Sequence, residues 1–197
     1  MFPVNLPNSL TLMRILLVPV LVVALLVESP NGSTIAAVVF ALAAITDGLD
    51  GYIARSRESI TTFGKVMDPI ADKLLIAAAL ISLVSLDRVA AWVAMVVIAR
   101  EFAVSGLRIF AGAQRVVIPA SQLGRAKTIA QVAMVMALIA ASDTGDWWVQ
   151  ALVYLAVAIT LISGVDYFLN VSRRIEEAAD ARRATRRSGR QATDRAL

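Results

Sequence analysis

Long apolar runs, nearly free of charge and separated by short polar turns, constrain this chain more than any other feature. A helix needs about 20 apolar residues to cross a hydrocarbon core. Only helices and closed barrels can satisfy every backbone group there. Six such runs are read, at about Leu10 to Val27, Thr34 to Ala54, Gly64 to Leu86, Val89 to Phe110, Leu123 to Ala141 and Trp147 to Val171. Composition agrees, with 58% of the 197 residues hydrophobic against about half in a soluble domain. The expectation is an all-α polytopic membrane protein with six transmembrane helices.

The domain is read as residues 1–171, opening with a short interfacial segment, Phe2 to Asn8, that carries two prolines. No small-residue cleavage motif stands between Arg14 and Glu28, so the first run is read as a membrane helix and not a removed leader. Residues 172–197 form a basic tail, read as a frayed cytoplasmic helix or a disordered segment. Its arginines are expected to touch anionic lipid heads, not nucleic acid.

Loop charge sets the expected orientation. Arg55, Arg57, Arg115, Arg125, Lys127 and the tail fall on one side, while Glu28, Asp87, Arg88, Asp143 and Asp146 fall on the other. Positive loops stay inside, so both termini are expected in the cytoplasm of a cell held by its cytoplasmic membrane. Trp147 and Trp148 then sit at the far interface.

The chain contains neither histidine nor cysteine. Thiolate sites and histidine bases are excluded, and any metal must be held by oxygen, which suits Mg²⁺ or Mn²⁺. The oxygen donors are conspicuous. The second run ends Asp47-Gly48-Leu49-Asp50-Gly51-Tyr52-Ile53-Ala54-Arg55, and the third begins Gly64-Lys65-Val66-Met67-Asp68-Pro69-Ile70-Ala71-Asp72-Lys73. Spacings of three and four put each aspartate pair on one helix face. A short link predicts antiparallel neighbours, so four carboxylates can converge near one end of both helices. Four such groups repel strongly in a membrane and call for cations. Gly48, Gly51 and Ala54 leave room beside the backbone, and Arg55 is placed to meet a phosphate.

This pattern, Asp47-x-x-Asp50-Gly51-x-x-Ala54-Arg55, then eight residues, then Gly64-x-x-x-Asp68-x-x-x-Asp72, resembles the signature of the CDP-alcohol phosphatidyltransferases. The resemblance implies a homodimer of six-helix subunits with two metal ions in a site open to the cytoplasm. It implies that Asp47, Asp50, Asp68 and Asp72 bind metal and that Asp72 also accepts the proton of the attacking hydroxyl. Asn8, Thr11, Gly51, Ala54, Arg55, Thr61 and Gly64 would bind CDP-diacylglycerol.

Other segments bear on the acceptor. Asn5 to Arg14, Ile98 to Phe102 with Arg108 beyond, and Leu123 to Thr128 resemble the branch of the family that makes phosphatidylglycerophosphate. That branch transfers a phosphatidyl group from CDP-diacylglycerol to sn-glycerol 3-phosphate and releases CMP. Arg100 and Arg108 are eight apart and share a face of the fourth helix. With Lys127 they suit the acceptor's phosphate, and Glu101 is expected to answer one of these bases. Rival readings are another acceptor, inositol phosphate or phosphatidylglycerol, a membrane prenyltransferase, and a carboxylate-lined ion transporter.

A site built on aspartate alone predicts that rigorous chelation abolishes CMP release and that Mg²⁺ or Mn²⁺ restores it. Full turnover without divalent cations would overturn the two-metal expectation.

Overall fold

In the computed structural model the backbone is described for residues 6–27, 29, 31–57, 62–114, 116 and 122–194, and side chains for all of these except 6–11, 47–57, 62–69, 72 and 178–194. The described residues form six helices and no strand: α1 (Leu6–Leu26), α2 (Gly32–Arg57), α3 (Thr62–Ser85), α4 (Ala91–Ala113), α5 (Gln122–Ala140) and α6 (Trp147–Asp194). Each sits within a few residues of an expected run. Two boundaries differ in kind. Leu6 to Asn8, expected in a separate interfacial segment, form the first turn of α1. The tail is continuous with the last run, since α6 passes residue 172 without a break and reaches 48 residues. At about 1.5 Å per residue, α6 is more than twice as long as a bilayer core is thick.

Local chemistry explains the turns. In the turn after α1, the Gly32 N–H donates to the Ser29 carbonyl at 3.0 Å. A Cβ at position 32 would lie 3.0 Å from the Ala24 carbonyl oxygen, so a larger residue would press on the end of α1 and require a shift of a few tenths of an ångström. After α3, Asp87 takes the left-handed conformation with φ 56°. Its N–H bonds the Val84 carbonyl at 3.1 Å, and that of Arg88 bonds the Leu83 carbonyl at 2.9 Å. This is a Schellman ending, with aspartate in the place glycine usually takes. The Arg88 guanidinium then donates to the Ala141 carbonyl just past the end of α5, where the helix dipole favours a cation.

Packing closes the helices into a ring in the order α1, α2, α5, α6, α4, α3, with α3 also touching α5 across the middle. One cavity is lined by Ser29, Asp87, Arg88 and Asp143. The α1–α2, α3–α4 and α5–α6 turns therefore meet at one end of the bundle. The starts of α1, α3 and α5 and the end of α2 follow at the other. Leu21, Phe40, Leu80, Leu83, Val97, Met134 and Leu138 form the fully buried apolar centre.

The surface runs opposite to that of a soluble bundle. Leu16, Val20 and Val23 on α1, Leu42 and Ile45 on α2, Met95, Phe102 and Ile109 on α4, and Leu161, Ile162, Val165 and Phe168 on α6 are all exposed. Arg14, Lys127, Gln131, Thr160 and Ser163 are buried. Apolar side chains outward and polar ones inward is the arrangement that lipid imposes.

Among the described residues, two segments are long and apolar enough to cross a membrane, Gln122–Ala140 and Trp147–Glu177. Shorter apolar stretches occupy Leu12–Leu26, Gly32–Thr46 and Lys73–Ser85. In α4, Arg100, Glu101 and Arg108 interrupt the apolar run, and these same residues line the interior cavity described next.

Candidate active site

The acid-bearing half of the site is carried by α2 and α3. Asp47, Asp50, Gly51, Ala54 and Arg55 lie on helical backbone in α2, and Gly64, Asp68 and Asp72 on helical backbone in α3. The three- and four-residue spacings therefore do put each aspartate pair on one face. The side chains of these residues, and of Asn8 and Thr11, lie outside the described ones, as does Thr61 altogether. Lys73, next after Asp72 in sequence, lines an interior cavity, so the α3 turn that carries Asp72 borders that cavity.

The cavity, of about 620 Å³, is lined mainly by α3, α4 and α5, with Arg14 contributed from α1, Phe40 and Ala44 from α2, and Tyr167 from α6. Among the described residues that line it, six are basic (Arg14, Lys73, Arg100, Arg108, Arg125 and Lys127) and one, Glu101, is acidic. The three residues expected to recognise the acceptor, Arg100, Arg108 and Lys127, are thus brought together, although they come from two helices. Arg14, Lys73 and Arg125 join them. Each stood in a motif segment of the sequence, and a cation inside an apolar run, as at Arg14, is itself the signal for an interior role.

Glu101 does more than expected. Its Oε1 accepts from Lys127 Nζ at 2.5 Å and from Arg100 Nη1 at 3.2 Å. It therefore answers two bases where one was expected. Gln131 Nε2 approaches the same oxygen at 3.5 Å and donates to Thr160 Oγ1 at 3.1 Å. Arg100 also donates through Nη2 to the Ser163 hydroxyl. The side chains of Arg100, Lys127 and Glu101 are only 11%, 10% and 15% exposed, so their attraction is little screened.

Arg108 is held differently. Its Nε donates to the Tyr167 hydroxyl at 3.4 Å, and its Cζ lies 5.7 Å from the centre of the Tyr167 ring. Arg108 and Arg125 have no acidic partner among the described residues. Sequence reasoning missed Gln131, Thr160, Ser163 and Tyr167. Their signal was a polar residue every three or four positions inside apolar spans.

A carboxylate-rich helix pair beside a cationic cavity is a constellation that sequence comparison can test. The profile of the CDP-alcohol phosphatidyltransferases matches residues 4–162. The chain belongs to the CDP-alcohol phosphatidyltransferase family. It is 40% identical, over 83% of its length and 93% of the relative's, to the CDP-diacylglycerol–glycerol-3-phosphate 3-phosphatidyltransferase of Bacillus subtilis. It is 43% identical to a probable phosphatidylglycerophosphate synthase of Mycobacterium tuberculosis, over 87% of its own length and 83% of the relative's. A CMP-forming cardiolipin synthase of Oryza sativa is 35% identical, over 81% of this chain and 53% of that one. As a member of this family the chain is a transferase, and its lipid-facing apolar surface makes it an integral membrane protein.

The donor chemistry of the family site fits the residues present. Four aspartates on α2 and α3, which are consecutive in sequence and both packed on α1, offer only hard oxygen ligands, as suit Mg²⁺ or Mn²⁺. The family signature accounts for the acidic half, while the basic half depends on the Glu101 junction. Replacing Glu101 by Ala strands two cations in the interior, which typically costs about 3–5 kcal/mol. Glu101→Ala is therefore expected to unfold at distinctly lower temperature in detergent, with stability partly recovered by adding Lys127→Met. Equal melting temperatures for wild type and Glu101→Ala would show that the junction does not hold the helices.

Proposed function

We propose that this chain transfers the phosphatidyl group of CDP-diacylglycerol to sn-glycerol 3-phosphate, releasing CMP and leaving phosphatidylglycerophosphate in the membrane. The observation that carries the reading is the cavity with six bases and one acid among its described lining residues, bordered by the α3 turn of Asp72. Such a cavity favours a small, doubly charged phosphate ester over a neutral alcohol. The printed names of the bacterial relatives point to the same acceptor.

All six helices cross the cytoplasmic membrane in this reading, with both termini and the site on the cytoplasmic side. Exposed apolar side chains on every helix support it, as does the basic character of the loops at that end. The lipid tails of donor and product remain in the bilayer while CMP and the acceptor exchange with the cytoplasm. The enzyme works as a homodimer, as the family resemblance implies.

The roles divide between the two halves of the site. Asp47, Asp50, Asp68 and Asp72 hold two divalent cations, which when bound polarise the donor diphosphate and stabilise the CMP leaving group. Asn8, Thr11, Gly51, Ala54, Arg55, Thr61 and Gly64 receive the nucleotide end of CDP-diacylglycerol. Arg100, Arg108 and Lys127 hold the acceptor's phosphate and aim its free hydroxyl at the donor. That oxygen forms a bond to the lipid-side phosphorus, the bond from this phosphorus to the CMP oxygen breaks, and the hydroxyl proton passes to Asp72. An aspartate is a weak base at neutral pH, so positioning supplies much of the acceleration.

Asp72→Asn keeps the side-chain shape but cannot take the proton. It is expected to release no CMP while still binding CDP-diacylglycerol; turnover within a few-fold of wild type would exclude Asp72 as the base. Arg108→Ala removes a charged contact to the acceptor phosphate. It should raise the KM for glycerol 3-phosphate by roughly ten- to a hundredfold, with the donor KM little changed. Competition among acceptors, read by CMP release, tests the assignment itself. Product from inositol phosphate or phosphatidylglycerol but not from glycerol 3-phosphate would overturn the acceptor and leave the family intact.

A further inference from the structure

Thr160, Ser163, Gly164 and Tyr167 lie at offsets of zero, three, four and seven along α6 and so form one face of it. Of the residues between them, Leu161, Ile162 and Val165 are exposed, and Asp166 is half-buried and accepts from Asn170. None of the four carries a charge, yet each meets a part of the cationic cavity. Ser163 accepts from Arg100. Tyr167 accepts from Arg108 and presents its ring to the guanidinium. Thr160 accepts from Gln131, whose amide also reaches the Glu101 oxygen shared by Lys127 and Arg100. Gly164 acts by being small, since a Cβ there would lie 3.2 Å from Arg100 Cγ and 3.6 Å from its Nε.

A buried serine or threonine in a helix can satisfy its hydroxyl on the carbonyl one turn back. Ser163 and Thr160 instead take bonds from other helices, although Thr160 is fully buried and Ser163 is 1% exposed. Arginine and lysine side chains have many rotamers, and fixing them before the ligand arrives removes an ordering cost from binding. We infer that this face of α6 is the positioning element of the acceptor site: it fixes Arg100 and Arg108 directly, and Lys127 through Gln131 and Glu101, and so sets acceptor affinity without touching the donor. The inference rests on the reading that the cavity takes the acceptor's phosphate.

The test uses the full-length protein in detergent and the variants Ser163→Ala, Tyr167→Phe and Gly164→Ala, with Ser82→Ala on α3 as a buried-hydroxyl control. Donor KM, acceptor KM, kcat and melting temperature are measured for each. Because the arginine keeps its own contact to the phosphate and loses only a positioning bond, each variant predicts a glycerol 3-phosphate KM raised roughly two- to tenfold, the effect of one ordinary hydrogen bond. The donor KM is expected to stay within about twofold, and the control to change neither constant. Tyr167→Leu, which also removes the ring, should exceed Tyr167→Phe. Because Ser163 and Tyr167 hold different arginines, the double variant should multiply the single effects. Unchanged acceptor KM in Ser163→Ala and Tyr167→Phe would overturn the inference, as would parallel shifts in donor KM, acceptor KM and melting temperature. If wild type uses another acceptor, the proposed function fails first. The same variants then decide the positioning role on that acceptor, with a raised KM sustaining it and an unchanged KM overturning it.

Discussion

A cation inside a membrane bundle persists only where a countercharge, a hydrogen-bonding shell or water meets it. Here much of that demand is met by one carboxylate. Glu101 takes Lys127 and Arg100 on a single oxygen and is approached there by Gln131, tying α4 to α5. Thr160 and Ser163 extend the junction to α6. Three helices are registered against one another at this point, by polar contacts that lipid cannot replace. Apolar packing alone would be a weaker guide, because lipid tails solvate leucine about as well as another helix does.

The ring of helices turns this junction into a divided site. Two helices, α2 and α3, carry the acids of the family signature, and α4 and α5 carry most of the bases. Contact between α3 and α5 across the bundle brings the two halves together, with Lys73 lining the cavity immediately after Asp72 in sequence. Most of the lining bases thus lie on helices other than those of the acids, with Lys73 on α3 the exception. In the proposed reaction that separation has a purpose, since each half handles a different phosphate. The donor diphosphate goes to the acidic half with its cations, and the acceptor phosphate goes to the basic half.

Much of this was legible in order along the chain. Apolar length located the six helices, because a helix that meets lipid must be apolar over many consecutive residues. The spacing of Asp47, Asp50, Asp68 and Asp72 marked the acidic half, because helical periodicity converts spacing into a shared face. Arg100 and Arg108 were paired by the same rule. The partners of these bases were not legible. Glu101 looked able to serve one base because adjacency in sequence shows Arg100 and hides Lys127, which lies on another helix. Tyr167 and Ser163 looked like ordinary polar residues in an apolar span, since what they hold lies 59 and 63 positions away.

The sequence by itself determined the apolar character of the chain, its helices and the spacing of the four aspartates along two of them. These depend on composition and on periods of three to four residues, which are local properties. Tertiary structure decided the make-up of the basic half: the convergence of Arg14, Lys73, Arg100, Arg108, Arg125 and Lys127 on one cavity, and the role of α6 behind it. It also showed α6 continuing as helix through the change of composition at residue 172. Those features depend on which helix faces which, and at what rotation. That is set by the sum of interior contacts, among them one carboxylate placed between two cations, and no single stretch of the chain records it.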